Sequence, residues 1–401
     1  MRLAERDIDV LVAGHTCLDI IPRFPGERYE ARSVFRPGGL VTVEEAAISN
    51  GGPVANTGLA IAKLGLRVAL VARVGDDWFG RLTLDLLREK GNVEGIRVSA
   101  GEHSSYTIAL APPGIDRIFF HFPGTNHTFC SADVDAALCG RAKVFHLGYP
   151  PLMRALFADG GAELIRIYET AAAQGTVTSI DMALPDPASE AGRVDWAPII
   201  ERLMPLLDIY LPSLEETFFM VDRQRYQDIH DANPGTMFID AVSGDEVSAM
   251  ADRLLEWGGT VIAQKCGHRG YYVKTAGRDR LNARPLAQLI NVDDWAGREL
   301  WTAAMDVAHI ASATGSGDSS IAGFLSAVVR GHSLEETIRL SQAVAYQNLQ
   351  ALDALSGIKD WAESLRLARD FSQPLVQIPQ PGPDWVWRGD VQMWEKPAKA
   401  R

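Results

Sequence analysis

Ala313-Thr314-Gly315-Ser316-Gly317-Asp318-Ser319-Ser320-Ile321-Ala322-Gly323-Phe324 is a glycine-rich turn that carries one acid and runs straight into a helix-like stretch. Gly315 and Gly317 let the backbone take positive φ values and approach a ligand closely, so that successive N–H groups can converge on one small anion-binding cavity. From Ser319 to Arg330, Ile321, Phe324, Leu325, Val328 and Val329 recur at helical spacing. The spacing predicts a helix whose positive dipole end faces the same cavity. Asp318, at the helix start, reads two ways. It is an N-cap, a common place for aspartate, or it is a base, because Ser319 and Ser320 already offer capping groups beside a site built for negative charge. The motif alone leaves both open.

A second motif lies far upstream. Gly51-Gly52-Pro53-Val54-Ala55-Asn56-Thr57-Gly58-Leu59-Ala60-Ile61-Ala62-Lys63-Leu64-Gly65 reads as a glycine pair opening a helix that Gly65 ends, with small residues for close packing and Asn56 in its first turn. Arg67 to Val74 is a β-branched run that makes a buried strand, and Gly75-Asp76-Asp77 begins a helix through about Lys90. Asp9 to Gly14 reads as the first buried strand. Val144 to Gly148, Thr176 to Asp181 and Asp208 to Pro212 each read as a strand entering a functional loop. Thr260 to Lys265 is another, leading into Cys266-Gly267-His268-Arg269-Gly270. Ser104 to Phe122 alternates around Pro112-Pro113-Gly114-Ile115-Asp116, which is hairpin chemistry. Strands alternating with helices predict an α/β fold with a mainly parallel sheet covered on both faces.

The two motifs, in this order and with these flanking strands, resemble the ribokinase-like (PfkB) carbohydrate kinase family over Asp9 to about Ile358. The resemblance implies a ribokinase-like three-layer α/β/α sandwich with a small β lid, occupying 1–358. The lid would come from about 17–50 and 103–125, and 359–401 would be a C-terminal Pro/Trp-rich extension. The activity it implies is ATP-dependent phosphorylation of a hydroxyl, expected to be primary, on a sugar or sugar acid. Asp318 would be the base, and Gly315, Ser316 and Gly317 the anion hole. Asp19, Gly51, Gly52 and Asn56 would form the acceptor pocket; an acid and an amide offer the acceptors and donors that vicinal hydroxyls need. The ordinary alternatives are a turn aspartate at 19 and a helix-start cap at 56. Lys265, Gly267 and Gly270 would lie beside the nucleotide. Glu216, in Ser213-Leu214-Glu215-Glu216, matches an acid that helps hold Mg2+ through water, its alternative being an exposed first-turn acid.

The chain departs from the family pattern at three places. Ser312 and Ala313 stand where relatives usually carry Asp and Thr, which puts K+ activation in doubt. Ser213 replaces the Asn of Asn-x-x-Glu, and Ser320 stands where Phe is frequent. Two further readings follow: a nucleoside kinase of the same fold, with a base slot from Tyr106, Phe119, Phe120 and Phe122, and a catalytically weak sugar- or nucleotide-binding sensor. A homodimer through the lid is expected, since lid strands otherwise leave exposed edges.

Composition narrows the partners. At 401 residues and 47% hydrophobic, the chain can bury a full α/β core, and it exceeds the roughly 250–300 residues at which single cores stop growing. The surplus is assigned to the lid, an insertion around 222–247 and the tail, where Trp385, Trp387 and Trp394 predict docking onto the chain itself or a partner subunit. A net charge of −12 leaves no basic stripe for nucleic acid. The first residues lack a signal-peptide core and no apolar run suits a membrane span, so the expectation is a cytoplasmic protein. Cys17, Cys130, Cys139 and Cys266 have no metal-ligand spacing and read as reduced thiols. His15, His103, His121 and His127 receive no role. Neither G-x-x-x-x-G-K-[ST] nor a G-x-G-x-x-G after the first strand is present.

Overall fold

A computed structural model describes residues 3–115 and 118–397. Asp116, the last residue of the expected hairpin turn, lies outside the described residues. In chain order the strands are β1 (Ile8–Gly14), β2 (Cys17–Arg23), β3 (Glu44–Gly51), β4 (Val68–Gly75), β5 (Asn92–Ser99), β6 (Tyr106–Leu110), β7 (Ile118–Phe122), β8 (Ala142–Gly148), β9 (Val177–Asp181), β10 (Ile209–Tyr210), β11 (Val261–Lys265), β12 (Tyr271–Thr275), β13 (Glu299–Thr302), β14 (Val386–Arg388) and β15 (Met393–Glu395). They form an 11-stranded sheet, β14-β15-β13-β12-β11-β10-β9-β8-β1-β4-β5, and a four-stranded sheet, β3-β2-β6-β7.

Strand β1 explains the layering. Its residues are all buried, and the two-residue period sends Leu11 and Ala13 into one core layer and Val10 and Val12 into the other. A strand apolar on both faces needs helices on both faces, and this produces the three-layer α/β sandwich. Pairing from β5 through β4, β1, β8, β9 and β10 to β11 is parallel. Beyond β11 it turns antiparallel. The five-residue link Cys266–Gly270 is too short for a parallel crossover, so β12 folds straight back.

The tail extends this antiparallel edge. β15 pairs with β13 and β14 with β15, while Trp385 is buried against Tyr272 and Trp301. Of the two docking alternatives, the chain itself receives the tail. The tail is preceded by a helix, Trp361–Ala368, that the proline content of the segment as a whole had concealed. Residues 222–247 form short helices held by Phe238, whose ring packs on Phe218 and Tyr226. All four cysteines are free thiols. No helix among the described residues is long and apolar enough to cross a membrane.

Candidate active site

The parallel strands all end on one edge of the main sheet, the usual place for a ligand in open α/β folds. Tyr149 follows β8, Asp181 ends β9, Ser213 follows β10 and Lys265 ends β11. Two helices start at the same edge and pack against each other: Pro53–Lys63, capped by Gly52 at φ 84°, and Ser316–Val329, capped by Gly315 at φ 73°. Gly315 is required twice over. Its backbone is left-handed, and a Cβ there would sit 2.5 Å from the Ala354 Cβ.

Asp318 lies where these helix starts meet. It is 2% exposed. Its Oδ2 accepts hydrogen bonds from Asn56 Nδ2 and Tyr149 Oη, each at 3.0 Å, and its Oδ1 accepts from Thr57 Oγ1 at 3.1 Å. The helix cap is Gly315, and the carboxylate is held by two other segments of the chain, so the capping alternative is not realised. Burial pushes the Asp318 pKa up, against the opposing pull of Asn56, Lys265, Tyr149 and Thr57. A carboxylate with a raised pKa is a better proton acceptor for an alcohol than a free one.

Tyr149 and Thr57 were not singled out in the sequence. Tyr149 is left-handed, at φ 64° and ψ 44°, a conformation uncommon for a bulky residue and concentrated at functional sites. Its signal was present in Tyr149-Pro150-Pro151, because a residue before proline is disfavoured in the right-handed helical region. Thr57 carried no comparable signal; only the packing of two helices brings it to Asp318.

Beside the glycine turn, Lys265 Nζ pairs with Asp181 Oδ1 at 2.5 Å. A Cβ placed on Gly317 would meet the Lys265 Cδ, Cε and Nζ at 3.6, 3.7 and 3.8 Å, so the ammonium arches over the turn. Burial alone would lower the Lys265 pKa, but Asp181 and Glu216 outweigh it and keep the group charged. The Asp181 pKa is raised by burial, opposed by Lys265, with Glu216 and Asp318 adding to the rise. Glu216 is half-buried and reciprocally bonded to its cap: Ser213 N–H donates to Glu216 Oε2 at 2.7 Å, and Glu216 N–H donates to Ser213 Oγ at 3.2 Å. Its pKa is raised, by burial first. Gly270, at φ 88°, closes the β11–β12 turn, where a Cβ would strike Thr302 O at 2.0 Å; Gly267 faces open space.

The acceptor-side candidates sit where the small sheet meets the main one. A Cβ on Gly51 would lie 2.3 Å from Asp19 Oδ2, so the missing side chain is the space the carboxylate uses. Gly52 is pressed likewise against His15. Burial raises the Asp19 pKa, with Cys17 and Thr107 opposing. The register Asp19↔Thr107↔His121 puts these three on one face of the lid. The rings of His121 and His15 are 5.2 Å apart and those of His15 and Tyr149 6.2 Å, an unbroken aromatic wall from lid to Asp318.

A buried carboxylate, a glycine turn at a helix start and a bridging lid is the arrangement of a group-transfer enzyme. The family model for pfkB family carbohydrate kinases matches residues 8–361. The chain belongs to this family. It is a sugar-kinase-type phosphotransferase with an alcohol group as acceptor. Among relatives, an uncharacterized sugar kinase of Archaeoglobus fulgidus is 21% identical over 75% of this chain and 98% of its own. A nucleoside kinase of Methanothermobacter thermautotrophicus is 24% identical over 90% of this chain and 95% of its own. Arabidopsis thaliana ribokinase, solved with ribose and ATP, superposes at a TM-score of 0.65 with 19% identity, covering 90% of this chain and 99% of that one.

Proposed function

We propose that this pfkB-family kinase transfers the γ-phosphoryl group of ATP to a hydroxyl, primary by preference, of a sugar or sugar acid. The observation that carries the proposal is Asp318, buried at the meeting of two helix starts and oriented by Asn56, Thr57 and Tyr149. In the reaction the acceptor oxygen forms a bond to the γ-phosphorus as the bond to the ADP oxygen breaks, and the hydroxyl proton passes to the Asp318 carboxylate. The N–H groups of Gly315, Ser316 and Gly317, together with the Lys265 ammonium, stabilise the transferring phosphoryl oxygens. Lys265 can exchange its bond to Asp181 for a phosphate oxygen with little movement, given its position over Gly317.

Three carboxylates, Asp181, Glu216 and Asp318, surround one ammonium, and each has a pKa raised by burial. That surplus of negative charge suits a divalent cation. Glu216 and Asp181 are the residues that would hold Mg2+, with water between, and the ion would neutralise phosphate charge.

A sugar-like acceptor is favoured by the chemistry of the lid face that turns inward. Cys17, Asp19, Ser49, Thr107 and His121 share it by strand register, and these are hydroxyl-binding groups. The aromatic slot of the nucleoside reading is less well supplied, because the Tyr106 ring already packs on Phe79 and Phe122. The outer lid face carries Ile20, Ile48, Ile108, Phe120 and Phe122. This supports a homodimer that buries it.

The test is ADP release from MgATP with a panel of ketoses, aldoses, sugar acids and nucleosides, with Asp318→Asn as control. One acceptor class should turn over, and the variant should lose about 100- to 10,000-fold in kcat while ligand-induced thermal shifts persist. The raised carboxylate also has a stability consequence. Its folded pKa lies above the unfolded value, so the unfolded state ionises first as pH rises and the charge at neutral pH disfavours folding. Asp318→Asn should therefore melt no lower than wild type at pH 7. Thermal shifts without turnover on any acceptor would assign the protein to the sensor reading.

A further inference from the structure

The histidines left without a role converge with a cysteine. His15 lies in the link between β1 and β2, Cys17 begins β2, and His121 sits on β7 of the lid. One ligand atom from each can be chosen so that all lie within 4.8 Å of one another. The two Nε2 atoms face each other at 3.4 Å. Ligands of one tetrahedral zinc ion are separated by about 3.3–3.6 Å, given metal–nitrogen and metal–sulfur bonds of about 2.0–2.1 and 2.3 Å, so the histidine pair is already spaced for a shared ion.

Thr107 stands between two of the three groups. Thr107 Oγ1 lies 3.0 Å from His121 Nδ1 and 3.5 Å from Cys17 Sγ. If the His121 Nδ1–H donates to Thr107 and the Thr107 hydroxyl donates to Cys17, the His121 Nε2 lone pair faces His15 and the sulfur is oriented by Thr107; such outer partners orient metal ligands. Asp19 Oδ1 lies 3.2 Å from Cys17 Sγ and accepts its thiol hydrogen. His15 and Cys17 are buried, whereas His121 is exposed, which provides an entry path.

We propose that His15, Cys17 and His121 bind a borderline-soft divalent transition metal of the Zn2+ type at the mouth of the acceptor pocket, with water in the fourth position. Nitrogen and thiolate donors select such an ion over Mg2+, which prefers oxygen ligands. Binding forms the metal–sulfur bond and releases the Cys17 thiol proton to solvent. The ion ties β7 of the lid to the β1–β2 link. Because it sits beside Asp19, whose Oδ1 is 3.2 Å from Cys17 Sγ, it competes with an acceptor whose hydroxyls need that carboxylate. This last consequence rests on the acceptor pocket described above; the binding itself does not.

The experiment is a Co2+ titration of the full chain under a non-thiol reductant and without nucleotide, followed by Zn2+ competition against a chromophoric chelator. A thiolate-to-cobalt charge-transfer band that Zn2+ displaces is expected. Cys17→Ser should abolish it, and His121→Ala, on the exposed lid, should weaken Zn2+ binding at least tenfold with an unchanged melting temperature. Absence of the band, or equal Zn2+ affinity in wild type and His121→Ala, overturns the proposal. In turnover assays Zn2+ should raise the acceptor KM of wild type and leave that of His121→Ala unmoved. The cobalt signal requires no acceptor, so a kinase assay that fails leaves the metal result readable.

Discussion

At the scale of single residues, the site depends on opposing influences on one carboxylate. Burial disfavours the charge on Asp318, while three donors and Lys265 favour it, and a base must be ionised to accept a proton. Tyr149 is the donor that can be removed most cleanly, since phenylalanine keeps the ring on the His15 side and removes only the hydroxyl. Without it the Asp318 pKa rises further, so less of the base is ionised at a given pH. In Tyr149→Phe, the acid limb of kcat/KM should move to higher pH and kcat at pH 7 should fall roughly tenfold, the scale of one hydrogen bond of about 1.5 kcal/mol to a charged group. A pH–rate profile is the measurement, and an unmoved acid limb would count against the orienting role. Asp318 was legible in the sequence because a glycine turn and a helix start advertise it. Thr57 was not, since its contact joins positions 261 residues apart in the chain.

Helix starts are the working elements here. Both helices that meet at Asp318 begin at a glycine with positive φ, and each glycine also gives way to a neighbour: Gly52 to His15 and Gly315 to Ala354. Gly315→Ala therefore meets two obstacles, a left-handed backbone and an occupied position. The expected loss is about 1–3 kcal/mol of stability, with a fall in kcat larger than any rise in acceptor KM, because the N–H groups proposed to stabilise the phosphoryl oxygens shift while the proposed acceptor face stays. Denaturant unfolding and steady-state kinetics on the same sample check both parts. The Ser213–Glu216 pair illustrates what an element can hide. A serine followed three residues later by glutamate is a helix-capping signature as much as a catalytic one, and the structure contains the cap, leaving the Mg2+ role to experiment.

For the whole molecule, the alternating lid strands divide their chemistry between two faces. One face gathers Asp19, Thr107 and His121, with Phe119 at its far end, and the other is apolar, with Ile48, Phe120 and Phe122 at 48%, 51% and 39% exposure. Contiguous exposed apolar surface of this kind marks an interface. Sedimentation at micromolar concentration should give a dimer for wild type and a monomer for Phe120→Asp; a monomeric wild type would remove the lid-mediated dimer from the model. At the antiparallel end of the main sheet the tail supplies β15 and β14 and buries Trp385 against Tyr272 and Trp301, while Val386 and Trp387 on the new edge strand stay exposed.

By itself the sequence determined the local grammar of this protein. Apolar runs such as Val10 to Ala13 had to be buried strands, Gly315 had to break the backbone before its helix, and the order of these pieces identified the family. Each of these is a short-range property, set by backbone sterics and by the period of the apolar residues. Gly317, expected to share the positive φ of Gly315, instead lies inside the helix, which starts at Ser316 and not at Ser319. Tertiary structure alone decided what met what. It brought Thr57 and Tyr149 to Asp318, set Lys265 over Gly317, folded β12 to β15 into an antiparallel edge and gathered His15 from the β1–β2 link with Cys17 and His121 from two strands of the lid sheet. Those contacts arise from packing between segments distant in the chain, where the register of strands and the approach of helices are fixed by the core as a whole and by no local signal.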